Sequence, residues 1–156
     1  MKLKLIAVGK IRERYLQMAE SDFMNRLQRY TDLEIVTVKE ERIERSKSEE
    51  LITGVEAERI CRKIKPQELV VALDSRGQQM SSEELAAFLK SCLLEGKNRL
   101  TFVIGGTLGL SEALLKQASV RLSLSRMTFT HEMTRVILLE QIYRAFTIIR
   151  GEKYHK

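Results

Sequence analysis

Leu100-Thr101-Phe102-Val103-Ile104-Gly105-Gly106-Thr107-Leu108-Gly109-Leu110-Ser111 runs from an apolar stretch, through a glycine-rich turn, to a hydroxyl able to cap a helix. A short continuous apolar run suits a strand buried on both faces. Missing Cβ atoms in the turn permit positive φ or let a ligand approach the backbone closely. The G-G-x-x-G spacing fits neither G-x-G-x-x-G nor G-x-x-x-x-G-K-[ST], which disfavours a dinucleotide or a nucleoside triphosphate. Taken alone, the pattern fits a purely structural turn as well as a ligand loop.

The same strand-then-helix grammar extends in both directions. Lys2 to Val8 alternates charged and apolar residues as a strand, and Glu13 to Tyr30 carries Leu16, Ala19, Phe23, Leu27 and Tyr30 at helical spacing. Leu33 to Val38 is β-rich, and the aperiodic, highly charged run Lys39 to Lys47 predicts an exposed, mobile connection, either solvated or in contact with RNA. Ser46 to Glu49 and Ser81 to Glu84 match the S-x-x-E capping box and open predicted helices near 48–64 and 82–95. Between these helices, after the single proline Pro66, Leu69 to Leu73 is a second buried strand. Ser111 caps a helix to about Ala118, Val120 to Ser123 is a fifth strand, and Thr130 caps a final helix to about Ile149. The alternation predicts one α/β domain over residues 1–156, with a mostly parallel sheet and helices on both faces.

Composition narrows the setting. No stretch reaches the roughly 18 apolar residues of a membrane span, and the N-terminus lacks the pattern of a signal peptide, so a cytoplasmic protein is expected. Cys61 and Cys92 lack CxxC or His spacing, so no metal site is expected, and both read as core or half-buried thiols. The net charge is +6, and residues 121–156 carry seven basic against three acidic side chains, compatible with a polyanionic partner.

Open α/β sheets bind ligands beyond the carboxyl ends of their strands. Val71 to Asp74, leading into Ser75-Arg76-Gly77, and Ile104 to Gly109 both end buried strands, so together they suggest a pocket. Leu124 to Phe129 joins the last strand to the last helix without the glycine or proline a tight connection usually uses. On the final helix, His131 and Arg135 lie on one side and Glu140 and Arg144 nearly opposite, with apolar residues in almost every other direction. A helix apolar nearly all round must be covered, and a symmetric dimer seam is the economical cover. Glu140 and Arg144 fit an i,i+4 ion pair, and His131 fits a structural or capping group better than a catalytic base. The tail Gly151 to Lys156 reads either as a frayed end or as a set able to stack on a base and meet phosphates.

Taken in order, Lys4 to Lys10, Leu73 to Gly77, Ile104-Gly105-Gly106 with Gly109, Ser123-Leu124-Ser125, Met127-Thr128, His131 with Arg135, Glu140 to Ala145 and Tyr154-His155 resemble the RlmH family of SPOUT methyltransferases along the whole chain. The resemblance implies a C-terminal deep trefoil knot, a rare exception to the no-knot rule, and a homodimer. It implies S-adenosyl-L-methionine as cofactor and methylation of N3 of a pseudouridine in a stem-loop of 23S rRNA, on the assembled ribosome. The family's cofactor positions fall on Leu73, Gly105, Leu124, Ser125, Arg126, Met127, Thr128 and Phe129. Arg135 or Arg144, with Tyr154 and His155 reaching over from the partner subunit, are the residues expected to frame the target base. The tail departs from some relatives in ending with Lys156 where they carry Arg. That change keeps a phosphate contact but loses bidentate geometry.

Overall fold

Period-two alternation sorts the strand residues onto two faces, and the computed structural model, which describes residues 1–155, covers each face with helices. Strands β1 (Lys2–Val8), β2 (Asp32–Val38), β3 (Leu69–Gln79), β4 (Arg99–Ile104) and β5 (Val120–Ser123) form one parallel sheet in the order β2-β1-β4-β3-β5. On one face Leu3, Leu5, Ala7, Leu100, Phe102 and Ile104 pack with helices α1 (Arg14–Leu27), α3 (Ser82–Leu94) and α5 (His131–Ile149). On the other, Ile6, Val8, Val38 and Val103 pack with Ile60 of α2 (Glu49–Cys61) and Leu114 of α4 (Glu112–Gln117). The continuous apolar run of β4, and that of Leu5 to Val8 in the second half of β1, are thus explained by two-sided burial.

The caps show how local chemistry sets the helix starts. The Ser81 hydroxyl accepts from the Glu84 amide at 3.1 Å and the Glu84 carboxylate accepts from the Ser81 amide at 2.7 Å, as the capping box predicts. Ser111 and Thr130 each accept from the amide three residues on. The box expected at Ser46–Glu49 is not formed: the cap is Ser48, whose hydroxyl accepts from Leu51 at 3.1 Å. The hydroxyl chemistry is the same two residues later, and it puts Glu49 and Glu50 in the first turn, where the helix dipole favours them. Helix α1 ends at Leu27, short of the predicted Tyr30.

Other departures concern polar segments. The charged connection after β2 is pinned, because Glu41 accepts from Lys47 at 2.9 Å and from Arg59 of α2 at 2.6 Å, and Arg59 also donates to the Lys39 carbonyl. Cys92 is buried as expected, but Cys61, at the end of α2, is exposed. Strand β3 runs six residues beyond Leu73, with a bulge: Leu122 of β5 pairs with both Leu73 and Gln78. A Cβ at Gly77 would lie 2.6 Å from the Arg121 carbonyl oxygen, so β5 runs close against this bulge. After α5, Gly151 adopts φ +68°, its amide donates to the Ile148 carbonyl, and the Glu152 amide donates to the Thr147 carbonyl, which makes a Schellman stop. The turn Lys153–His155 then folds the tail back onto α5; the His155 side chain and Lys156 lie outside the described residues.

Helix α2 generates two predictions. Gly54 sits in its interior with nothing within 4 Å of an added Cβ, so Gly54→Ala should stabilise the fold by about 1 kcal/mol in urea titration. Glu56 is only 4% exposed. Burial pushes its carboxyl pKa up, opposed by the Glu41 amide that donates to it and by the charge of Arg59. A carboxyl whose pKa rises on folding contributes stability below its unfolded value of 4.5 and loses it as pH rises through the folded value. Glu56→Gln should therefore raise the thermal midpoint above pH 7, with the gain shrinking towards pH 4.

Candidate cofactor and substrate pocket

The neighbouring strands β1, β4, β3 and β5 all deliver their carboxyl ends to one edge of the sheet, and there a cavity of about 940 Å³ opens. This lies within the size range of small-molecule and cofactor sites, about 300–1,000 Å³. Its walls include Leu73 to Ser75 within β3, the loop from Ile104 to Gly109 after β4, Leu108 excepted, and the stretch Leu124 to Thr134 leading into α5, Arg126 excepted. The three segments expected from the sequence therefore meet. Seven of the eight expected cofactor positions line the cavity; Arg126 is exposed and does not.

The glycines of the β4 loop serve the loop itself. A Cβ at Gly105 would lie 2.5 Å from the carbonyl carbon of Gly109 and 3.0 Å from the Leu110 nitrogen. Gly109 has φ +78° and its amide donates to the Gly106 carbonyl at 3.0 Å, closing the turn. Gly106 backs onto the buried Glu56 and Val8. Backbone therefore forms this wall because close contacts at Gly105 and Gly106 leave little room for a Cβ and the positive φ of Gly109 disfavours one.

The glycine-free connection after β5 turns by hydroxyl chemistry instead. Ser123 donates to the Ser125 carbonyl at 3.0 Å, and the Ser125 hydroxyl accepts from the Met127 amide at 2.9 Å. This local side-chain turn supplies the reversal that glycine or proline would otherwise provide. It leaves Met127 and Phe129 exposed at the cavity mouth.

Asp74 is the carboxylate at the start of the β3 bulge, and it is committed to the protein. It accepts from Arg121 and from the Arg76 amide, while Arg76 donates to Glu112 at 2.6 Å. Burial pushes its pKa up, but the hydrogen bonds of Arg121 and Arg76 outweigh this and hold it below the usual carboxylate range. It stays ionised at neutral pH.

Of the expected base-framing residues, Arg144 and Tyr154 meet within one chain, Arg135 stands apart from them, and the His155 side chain lies outside the described residues. Arg135 is 4% exposed, donates to Glu20 of α1 at 2.8 Å and donates to the Gly9 carbonyl at 3.2 Å, so it braces the fold beside the cavity rather than lining it. Arg144 forms the expected i,i+4 pair with Glu140 at 2.7 Å. The Arg144 guanidinium lies 4.9 Å from the centre of the Tyr154 ring, and the Tyr154 hydroxyl donates to Glu140 at 3.4 Å. Neither Arg144 nor Tyr154 lines the cavity of its own chain, whereas His131 does.

Sequence reasoning missed the fourth wall, Glu13, Tyr15 and Leu16, which follows β1. The Arg12 amide donates to Glu132 at 3.2 Å and so docks this connection on the first turn of α5. The signal was available only in combination: β1 ends at the same edge as β4 because the two are parallel neighbours.

Among the described residues there is no cluster of His, Cys, Asp and Glu suited to a metal, and no helix long and apolar enough to cross a membrane. The family described as "Predicted SPOUT methyltransferase" matches residues 1–155. The chain is 52% identical to ribosomal RNA large subunit methyltransferase H of Symbiobacterium thermophilum and 49% identical to that of Acetivibrio thermocellus, each match covering all of both chains. The fold is similar to that of a probable methyltransferase from Bordetella pertussis, with a TM-score of 0.61 at 12% identity over 93% of this chain and 96% of the other. A pocket of backbone turns at the strand ends, with family and relatives matched from end to end, places this chain in the SPOUT methyltransferases, in the RlmH family.

Proposed function

We propose that the protein transfers a methyl group from S-adenosyl-L-methionine to N3 of a pseudouridine in a stem-loop of 23S rRNA, acting in the cytoplasm as a homodimer on the assembled ribosome. The observation that carries this reading is the convergence of three main-chain segments on one cavity of about 940 Å³. Full-length similarity to relatives named as large-subunit rRNA methyltransferases supports the substrate class. A C-terminal trefoil knot belongs to the same reading, supported by the family match and by the closeness of β5 to the Asp74–Gly77 bulge.

The cavity fits the cofactor in kind. Leu73, Leu124 and Met127 provide apolar contact for an adenine, and the main chain around Gly105 and Ser125 to Phe129 provides donors and acceptors. When bound, the cofactor supplies an electrophilic methyl on a sulfonium. The residues then need to hold the acceptor nitrogen in line with it. N3 loses its proton in the transfer, which calls for a base or for stabilisation of the ring anion. An arginine cannot be the base, but its donors can stabilise the anion.

Arg144 of α5 and Tyr154 of the turn that follows it are preassembled and absent from the lining of their own cavity, which supports delivery to the partner's pocket together with His155. Burial pushes the Tyr154 phenol up, reinforced by the Glu140 charge, so it acts as a neutral donor. Arg135 is assigned a positioning role through its brace. The half-buried Met133, Val136 and Ile137 of α5 provide apolar surface for the dimer seam.

The expected cofactor response is thermal: S-adenosyl-L-methionine at about a hundred times its Kd should add about 2.7 kcal/mol of stability. Gly105→Ala, which forces a Cβ into the Gly109 backbone, should abolish that response. No shift of the parent protein at saturating cofactor overturns the enzyme reading. Labelled-methyl transfer to ribosomes lacking the modification, with mapping of the nucleotide, tests the target. Tyr154→Phe and His155→Ala should slow that transfer about tenfold or more while the cofactor response persists; normal rates would remove the tail from the site.

A further inference from the structure

Three of the four tyrosines contact other residues of their own chain. Tyr30, Tyr143 and Tyr154 form one aromatic cluster under α5, with ring centroids 4.7–5.7 Å apart, and their hydroxyls pair with Glu152, Arg29 and Glu140. Tyr15 does none of this. It is 62% exposed, its ring and hydroxyl have no partner among the described residues, and it lines the mouth of the main cavity. Scattered exposed hydrophobic residues need no explanation, but these converge. Of the seven large hydrophobic residues exposed among the described ones, Tyr15, Met127 and Phe129 line the same opening.

The placement of Tyr15 is built. It lies in the first turn of α1, and the connection before it is fastened to α5 by the Arg12 amide on Glu132 and by Arg135 on the Gly9 carbonyl. The residues around it favour a nucleic acid over a protein surface. Lys10 and Arg14 are exposed and have no ion-pair partner among the described residues. Protein interfaces deplete charge near their centres, whereas single-stranded nucleic acid is held by aromatic platforms flanked by cations.

We propose that Tyr15 stacks on a nucleobase of the RNA substrate at the cavity mouth, either the target base or its neighbour, with Lys10 and Arg14 meeting the adjoining phosphates. The proposal deepens the function given above and rests on it. It assigns RNA positioning to the β1–α1 connection, a segment separate from the strand-end turns that hold the cofactor.

The test is steady-state methyl transfer with a concentration series of unmodified ribosomes, comparing the parent with Tyr15→Ala and Tyr15→Phe. Cofactor affinity is measured by calorimetry and assembly by sedimentation. The expected result for Tyr15→Ala is a KM for ribosomes raised about tenfold or more, with cofactor Kd and sedimentation unchanged; Tyr15→Phe, which keeps the ring, should behave as the parent. An unchanged KM overturns the proposal. A cofactor Kd weakened in parallel assigns the ring to the cofactor and overturns it, and altered sedimentation assigns it to the partner subunit and overturns it. Failure of the underlying function is distinct: the parent itself would then transfer no label to RNA, and the inference would fall with it.

Discussion

A buried guanidinium holds the working edge of this protein together. Arg135 projects from α5 and meets Glu20 of α1 at 2.6 Å and the Gly9 carbonyl at the end of β1. Its side chain is 5% exposed, so the pair is strongly coupled, and truncating one member of such a pair commonly costs about 3–5 kcal/mol because a charge is left buried alone. The first strand, the helix after it and the last helix of the chain thereby share one joint. The cavity has a fourth wall because of it, and Tyr15 stands at the mouth because α1 is held there.

A second polar joint closes the opposite end of the sheet. Lys4 of β1 donates to Glu68 at 2.7 Å and to the Lys63 carbonyl, and the Thr101 hydroxyl of β4 donates to the same carboxylate. Burial pushes the Glu68 pKa up, but the Lys4, Lys65 and Thr101 hydrogen bonds hold it low. Polar groups at the amino ends of the strands are thus paired within the protein, while the carboxyl ends open onto the cavity. The asymmetry follows the general placement of ligands in open α/β sheets.

What could be read from the sequence was what short-range physics decides. Alternation, short apolar runs, helical spacing and caps located all five strands and all five helices, and Ser81, Ser111 and Thr130 marked helix starts through a hydroxyl three residues from its donor. Ser48 was confused with Ser46 because the two offer the same group, and only packing of the connection chooses between them. The extension of β3 through Ser75-Arg76-Gly77 was hidden because its residues are polar, and its pairing is supplied by β5 more than forty residues later. The pocket was legible as strand ends, but its fourth wall depended on the order of strands in the sheet. Arg135 illustrates the limit: its type and the family match suggested a place beside the substrate, and the brace it forms depends on Glu20, which lies 115 residues earlier.

The turn at Gly105 has a consequence for how such a protein changes through descent. Its shape comes from main-chain atoms pressed against one another, so the constraint falls on a few glycines and leaves the side chains around the cavity free to vary. A surface made of main chain survives replacements that would erase one made of side chains. Lineages can therefore drift widely in sequence and still inherit the same mould, their identity concentrated in the few positions where no side chain fits.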